Sequence, residues 1–142
     1  MTDYTLSDAV LARRVFRQDV YDHLCKTTIL RVLEPYINKD KVSIDVGAAT
    51  GMISNFLAPR SNALFAYEAV PEVWDRTLDM ANKHKNMVTL NRAIGNRNGL
   101  VKIYVDDKRL SNSGMQDLVD GPSTTVEGAT LDSLTGPTEI GF

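Results

Sequence analysis

The chain has 142 residues, 43% of them apolar and 24% charged, and these values set a single soluble globular domain as the expectation. Sixteen basic residues against eighteen acidic ones give a formal charge of −2, which argues against a nucleic-acid binder built on a basic stripe. The lone cysteine, Cys25, excludes an internal disulfide and a Cys-rich zinc site, and no apolar run approaches the roughly 18 residues of a membrane span.

The first ten residues, MTDYTLSDAV, are polar and acidic, unlike a secretory signal, so a cytoplasmic location is expected. Ser7 and Asp8 are candidate N-caps for an amphipathic helix carrying Val10, Leu11, Val15, Val20 and Leu24. Thr27 and Thr28 weaken it, and Ile29 to Leu33 continue it or start another before Pro35. Residues 1–40 therefore read as a helical cap, with Cys25 as a small buried apolar residue. Residues 41–142 read as the α/β part.

Val42-Ser43-Ile44-Asp45-Val46 is short and β-branched and runs straight into Gly47, the profile of a buried parallel strand. Met52 to Leu57 follow as a short helix stopped by Pro59. A second buried strand spans Ala63 to Tyr67 and ends at Glu68. Pro71 opens a helix to about His84, with Val73, Trp74, Leu78 and Ala81 as its apolar face and Glu72 and Asp75 complementing its dipole. A third strand occupies Met87 to Leu90. Strand, helix, strand, helix, strand is the signature of a parallel α/β sheet. The Asn98-Gly99 pair predicts a hairpin from about Val88 to Val105. Asp106 to Thr125 read as loop, and Val126 to Leu134 as one further short element.

The densest chemistry lies in Asp45-Val46-Gly47-Ala48-Ala49-Thr50-Gly51. Gly47 allows a sharp exit from the first strand, and the small Ala48 and Ala49 let a ligand approach the backbone. Gly51 draws the next helix in close, with its N–H groups towards the ligand. Glu68 follows at the spacing of about 20 residues that lets a carboxylate at the second strand's tip accept both hydroxyls of an adenosine ribose. A strand-order reversal beside the first strand would make this the ligand crevice. A dinucleotide would favour a middle glycine at 49 and a third at 54, where Ala49 and Ser54 stand. S-adenosylmethionine has no phosphates and carries a cationic sulfonium and an amino group, both of which welcome Asp45. It is the expected cofactor, and a nicotinamide-dependent oxidoreductase is the weaker alternative. Elsewhere the sequence offers little: Asp106 and Asp107 read as a solvated loop, His23 and His84 as surface or capping residues, and Trp74 as a helix–sheet contact.

These segments resemble the FkbM-type, class I S-adenosylmethionine-dependent methyltransferases from about Val42 to Leu134. The resemblance rests on Ser43 to Gly51, on Tyr67-Glu68-Ala69-Val70-Pro71, and on Asn91 to Gly99. Ser111 to Gly114 and Thr130 to Leu134 follow in the same order. It implies a Rossmann-like three-layer sandwich, with Asp45, Gly47 and Gly51 lining the methionine half of the cofactor. Glu68 would hold the ribose, and Ala93 and Ile94 would flank the adenine. The implied activity is O-methylation of a sugar or small hydroxylated metabolite, with neither nucleic acid nor membrane as partner. The family usually has Asn where this chain has Ala49, and it continues past Gly141-Phe142 into a fourth central strand. A sheet truncated before that strand exposes an edge, which a second copy, a partner chain or a rearrangement of the chain's own tail (residues 126–142) would complete. A non-catalytic cofactor-binding or interaction module, degenerate or split, is the alternative reading. No residue is assigned as the catalytic base.

Overall fold

Strand β1 (Val42–Val46) starts the α/β unit, and the computed structural model describes residues 30–105 and 122–135 of the chain. The predicted helix over Ser7 to Leu24, Cys25, His23, Asp106, Asp107 and the segment Ser111 to Gly114 lie outside the described residues. The chain divides into two units between Tyr36 and Ile37. In the first, helix α1 (Leu30–Leu33) passes into a 3-10 turn, Glu34–Tyr36, which holds Pro35. Among the described residues no helix is long and apolar enough to cross a membrane.

In the second unit β1 leads to helix α2 (Met52–Leu57), a 3-10 turn at Ala58–Arg60 and strand β2 (Ala63–Glu68). Helix α3 (Pro71–Ala81) and strand β3 (Met87–Asn91) complete the first sheet. Its order is β1-β2-β3, with both pairs parallel, Val46 opposite Tyr67 and Glu68 opposite Asn91. The fold class is therefore α/β with a Rossmann-like parallel sheet. The strand that the expected order reversal would place beside β1 is not among the described residues, so β1 forms an edge there.

Both helices cover one face of this sheet. Leu57 and Ala58 pack with Leu64 and Ala66 of β2 and Met87 of β3, and Ile53, Phe56, Met80 and Ala81 join them. Leu57 and Leu64 are fully buried, each worth about 1.5–3 kcal/mol of transfer energy. On β1 this helix-covered face carries Ser43 and Asp45, both buried, while Val42, Ile44 and Val46 take the opposite face. Polar side chains sit under helices because they satisfy one another. The Ser61 hydroxyl lies 2.6 Å from that of Ser43 and 2.9 Å from the Leu57 carbonyl oxygen. On the opposite face Val46 is 53% exposed and Val88 48%. Apolar residues on both faces are the pattern of a sheet built to be covered twice.

Helix α3 stops at Ala81, earlier than its periodicity suggests, because the chain turns at Asn82 and Lys83. Its buried face is centred on Val73 and Thr77; Leu78 is exposed and Trp74 half-buried. Thr77 is tolerated inside because its hydroxyl lies 2.7 Å from that of Thr89 on β3.

The expected hairpin from Val88 to Val105 does not form. Strands β4 (Ala93–Ile94), β5 (Gly99–Tyr104) and β6 (Ser123–Ala129) instead make a second sheet in the order β4-β6-β5. β5 pairs antiparallel with β6, Val101 opposite Val126, and β4 pairs parallel with β6. Ser123 to Thr125 are thus strand, not loop. Ala93, Val101, Ile103, Val105 and Val126 pack against Val70 and Val73 at the start of α3, with Ala49 and Ala69 at the margin. This places the second sheet against the glycine loop.

Asn98 has a different task from the predicted turn. Its Oδ1 accepts the Thr130 N–H (2.9 Å) and the Ser133 hydroxyl (2.9 Å), fixing the start of helix α4 (Leu131–Thr135). Asn98→Ala is expected to cost about 1 kcal/mol, since both donors then turn to water. A urea melt of the variant reads this directly.

Candidate functional site

The loop between β1 and α2 is held by main-chain bonds to the neighbouring strand. The Gly47 and Ala48 N–H groups both donate to the Tyr67 carbonyl, at 2.8 and 3.0 Å, and Gly51 N–H donates to the Ala48 carbonyl at 2.7 Å. Three of its residues take positive φ: Gly47 at 77°, Ala49 at 50° and Gly51 at 79°. At Gly47 nothing lies within 4 Å of where a Cβ would stand, so its bare backbone faces open space. Gly51 differs, because its missing Cβ faces Met80 of α3 at 3.1 Å. Packing between the two helices is what requires that glycine.

Ala49 bears a side chain where L residues pay about 1–2 kcal/mol for the left-handed conformation. Glu68 offsets this. Its Oε2 accepts the Ala49 N–H and its Oε1 the Val70 N–H, each at 2.9 Å, so one buried carboxylate ties the two strand-end loops together. Asn91 supports it from β3, its Nδ2 donating to the Glu68 and Ala69 carbonyls at 2.8 and 3.1 Å. Ala49→Gly is expected to raise stability by up to about 1 kcal/mol, read as a higher denaturation midpoint, because relief of the backbone outweighs a lost methyl contact.

Asp45 is the second buried carboxylate, and the Ser54 hydroxyl donates to its Oδ2 at 2.6 Å. Burial pushes its pKa up, Ser54 pulls it back, and the nearby charge of Glu68 raises it further. Neither Asp45 nor Glu68 makes an ion pair among the described residues, where Arg92 is taken by Glu127. A buried acid whose charge is disfavoured, beside a second buried carboxylate and with no basic partner there, suits an incoming cation.

The structure thus brings Asp45, Gly47, Ala48 and Glu68 together at the ends of β1 and β2. Ala48 is buried against α2 and the sheet. Ala93 is buried among Val70, Val73 and Val101, and Ile94 is half-buried on the short β4. His84 on the predicted helical stretch lies past the end of α3, its Nε2 2.8 Å from Asn55 Oδ1 on α2. Trp74 Nε1–H is buried with no acceptor among the described residues, where no His, Cys, Asp or Glu cluster could hold a metal.

Two contributors escaped the sequence reading. Ser54 was visible only as a missing glycine, although a hydroxyl in the first turn after such a loop is placed to meet an acid at the strand's end. Asn91 was read only as the start of the third resembling segment, and its role was hidden because its acceptors lie at the end of the neighbouring strand.

No protein-family model matches the chain, and no curated protein matches it either. Among solved structures it is similar to the 23S rRNA methyltransferase ErmE, with a TM-score of 0.41 and 20% identity over 47% of this chain and 32% of that one. An rRNA methylase from Streptococcus thermophilus gives a TM-score of 0.39 and 15% identity over 44% of each chain. A precorrin 8W decarboxylase from Methanobacterium thermoautotrophicum gives 0.38 and 22%, over 47% of each chain. This chain spans 32–47% of the length of these proteins. Likeness at this level identifies no family.

Proposed function

We propose that this chain carries the S-adenosylmethionine-binding portion of an FkbM-type O-methyltransferase acting on a sugar or small hydroxylated metabolite. The family and acceptor come from the motif resemblance. The observation that supports the cofactor is the pair of buried carboxylates, Asp45 and Glu68, without a basic partner among the described residues and flanking the open backbone of Gly47.

The residues fit that cofactor. A carboxylate has about four acceptor positions, so Glu68, which uses two on Ala49 and Val70, keeps two for ribose hydroxyls. Asp45 offers negative charge to the amino group and the sulfonium, and Ser54 fixes its orientation. Gly47 lets the ligand lie against the main chain. When bound, S-adenosylmethionine supplies an activated methyl group for in-line transfer. The chain's part is binding and orientation, which can account for much of the acceleration of a displacement. The test is release of S-adenosylhomocysteine in the presence of sugars and small hydroxylated acceptors, with NAD as the cofactor control. Turnover with a hydroxylated acceptor supports the proposal. Binding of NAD in preference to S-adenosylmethionine contradicts it.

A further inference from the structure

Beyond the carboxylate pair, the fold holds a cavity of about 350 Å³ lined by Ala93, Gly95, Asn96, Arg97, Val101 and Gly128. Small residues make its apolar surface. A Cβ at Gly128 would stand 2.8 Å from Val101 Cγ1, so the close packing of Val101 on this strand requires glycine there. Two polar side chains line the rest, and neither Asn96 nor Arg97 makes a hydrogen bond or ion pair among the described residues. The cavity therefore combines an apolar surface with a guanidinium fork and an amide, and no acid among the described residues lines it. Guanidinium pairs with carboxylate or phosphate through two parallel hydrogen bonds, and a cavity of this size lies within the range that takes small ligands.

We propose that this cavity binds a small molecule carrying an apolar group and one anionic group, a carboxylate or a phosphate, with Arg97 holding the anion and Ala93, Val101 and Gly128 the apolar part. The Asn96 amide donates alongside. Ala93 is also the residue that the resemblance sets beside the adenine, but the test uses no cofactor, so its outcome is separate from that of the methyltransferase reading.

The test is a titration of the full chain with benzoate and with phenyl phosphate, followed by amide NMR shifts, with benzyl alcohol as the uncharged control. Saturable shifts at Gly95, Arg97 and Gly128 are expected with at least one anion in the millimolar range, and the anion that binds names the group. Arg97→Gln, at an exposed position, is expected to weaken that binding about tenfold without altering the fold. Arg97→Lys keeps the charge but loses the fork, and it is expected to fall between. Equal binding of benzyl alcohol, no saturation with either anion, or unchanged affinity in Arg97→Gln overturns the proposal.

Discussion

Asp45→Asn is expected to weaken S-adenosylmethionine binding roughly 30- to 150-fold while making the folded chain more stable at neutral pH. The binding loss corresponds to about 2–3 kcal/mol, the scale of a hydrogen bond to a charged group. The stability gain follows from the direction of the pKa shift. Burial raises the Asp45 pKa above its unfolded value, so the folded state prefers the protonated acid. That preference stabilises the wild type fully below the unfolded pKa and is lost as pH rises through the folded one. Asparagine never acquires the charge, and its Oδ1 can still accept from Ser54. The variant should therefore outlast the wild type near pH 7, and the difference should vanish in acid. Thermal melts across pH, paired with calorimetry, separate the two effects. Loss of stability at pH 7 would show Asp45 to be structural.

Gly51→Ala is expected to destabilise the fold by about 2–4 kcal/mol, the largest effect of any single methyl in the loop. Part of this is the left-handed backbone at φ 79°, worth about 1–2 kcal/mol. The rest is collision with Met80, whose Cβ and Cγ would stand 3.1 and 3.2 Å away. The double variant Gly51→Ala/Met80→Ala removes the Cγ contact but keeps the Cβ contact and the backbone cost, so it should recover only part of the loss, a coupling that a double-mutant cycle reads. Gly47→Ala isolates the other component, since nothing lies near its Cβ position, and it should cost only about 1–2 kcal/mol. If both glycines cost the same, helix packing is not what Gly51 serves.

The first sheet was legible because each of its signals is local. Gly47 marks the end of β1, Pro59 closes the stretch after α2, and Pro71 opens α3, and the observed elements begin or end within a few residues of these marks. The loop's acidic partner was legible too, because strand–helix–strand spacing is nearly fixed. What failed was partner choice over distance. Asn98-Gly99 signals a turn, but β3 already pairs with β2, and β5 finds its complement in β6 far along the chain, with Val101 opposite Val126. No local pattern names that partner. Side-chain direction on β1 was hidden for a related reason. Alternation in Val42 to Val46 would send the valines and Ile44 under the helices, yet Ser43 and Asp45 lie there. They lie there because Ser61 and Ser54 satisfy them, and those serines come from later elements.

Calorimetric titration of the full chain with S-adenosylmethionine, run beside Asp45→Asn, tests the central claim most directly. Saturable one-to-one binding that the substitution weakens at least tenfold is the predicted result. Absence of binding through the millimolar range, or equal affinity in the two proteins, would contradict a cofactor site built on Asp45 and Glu68.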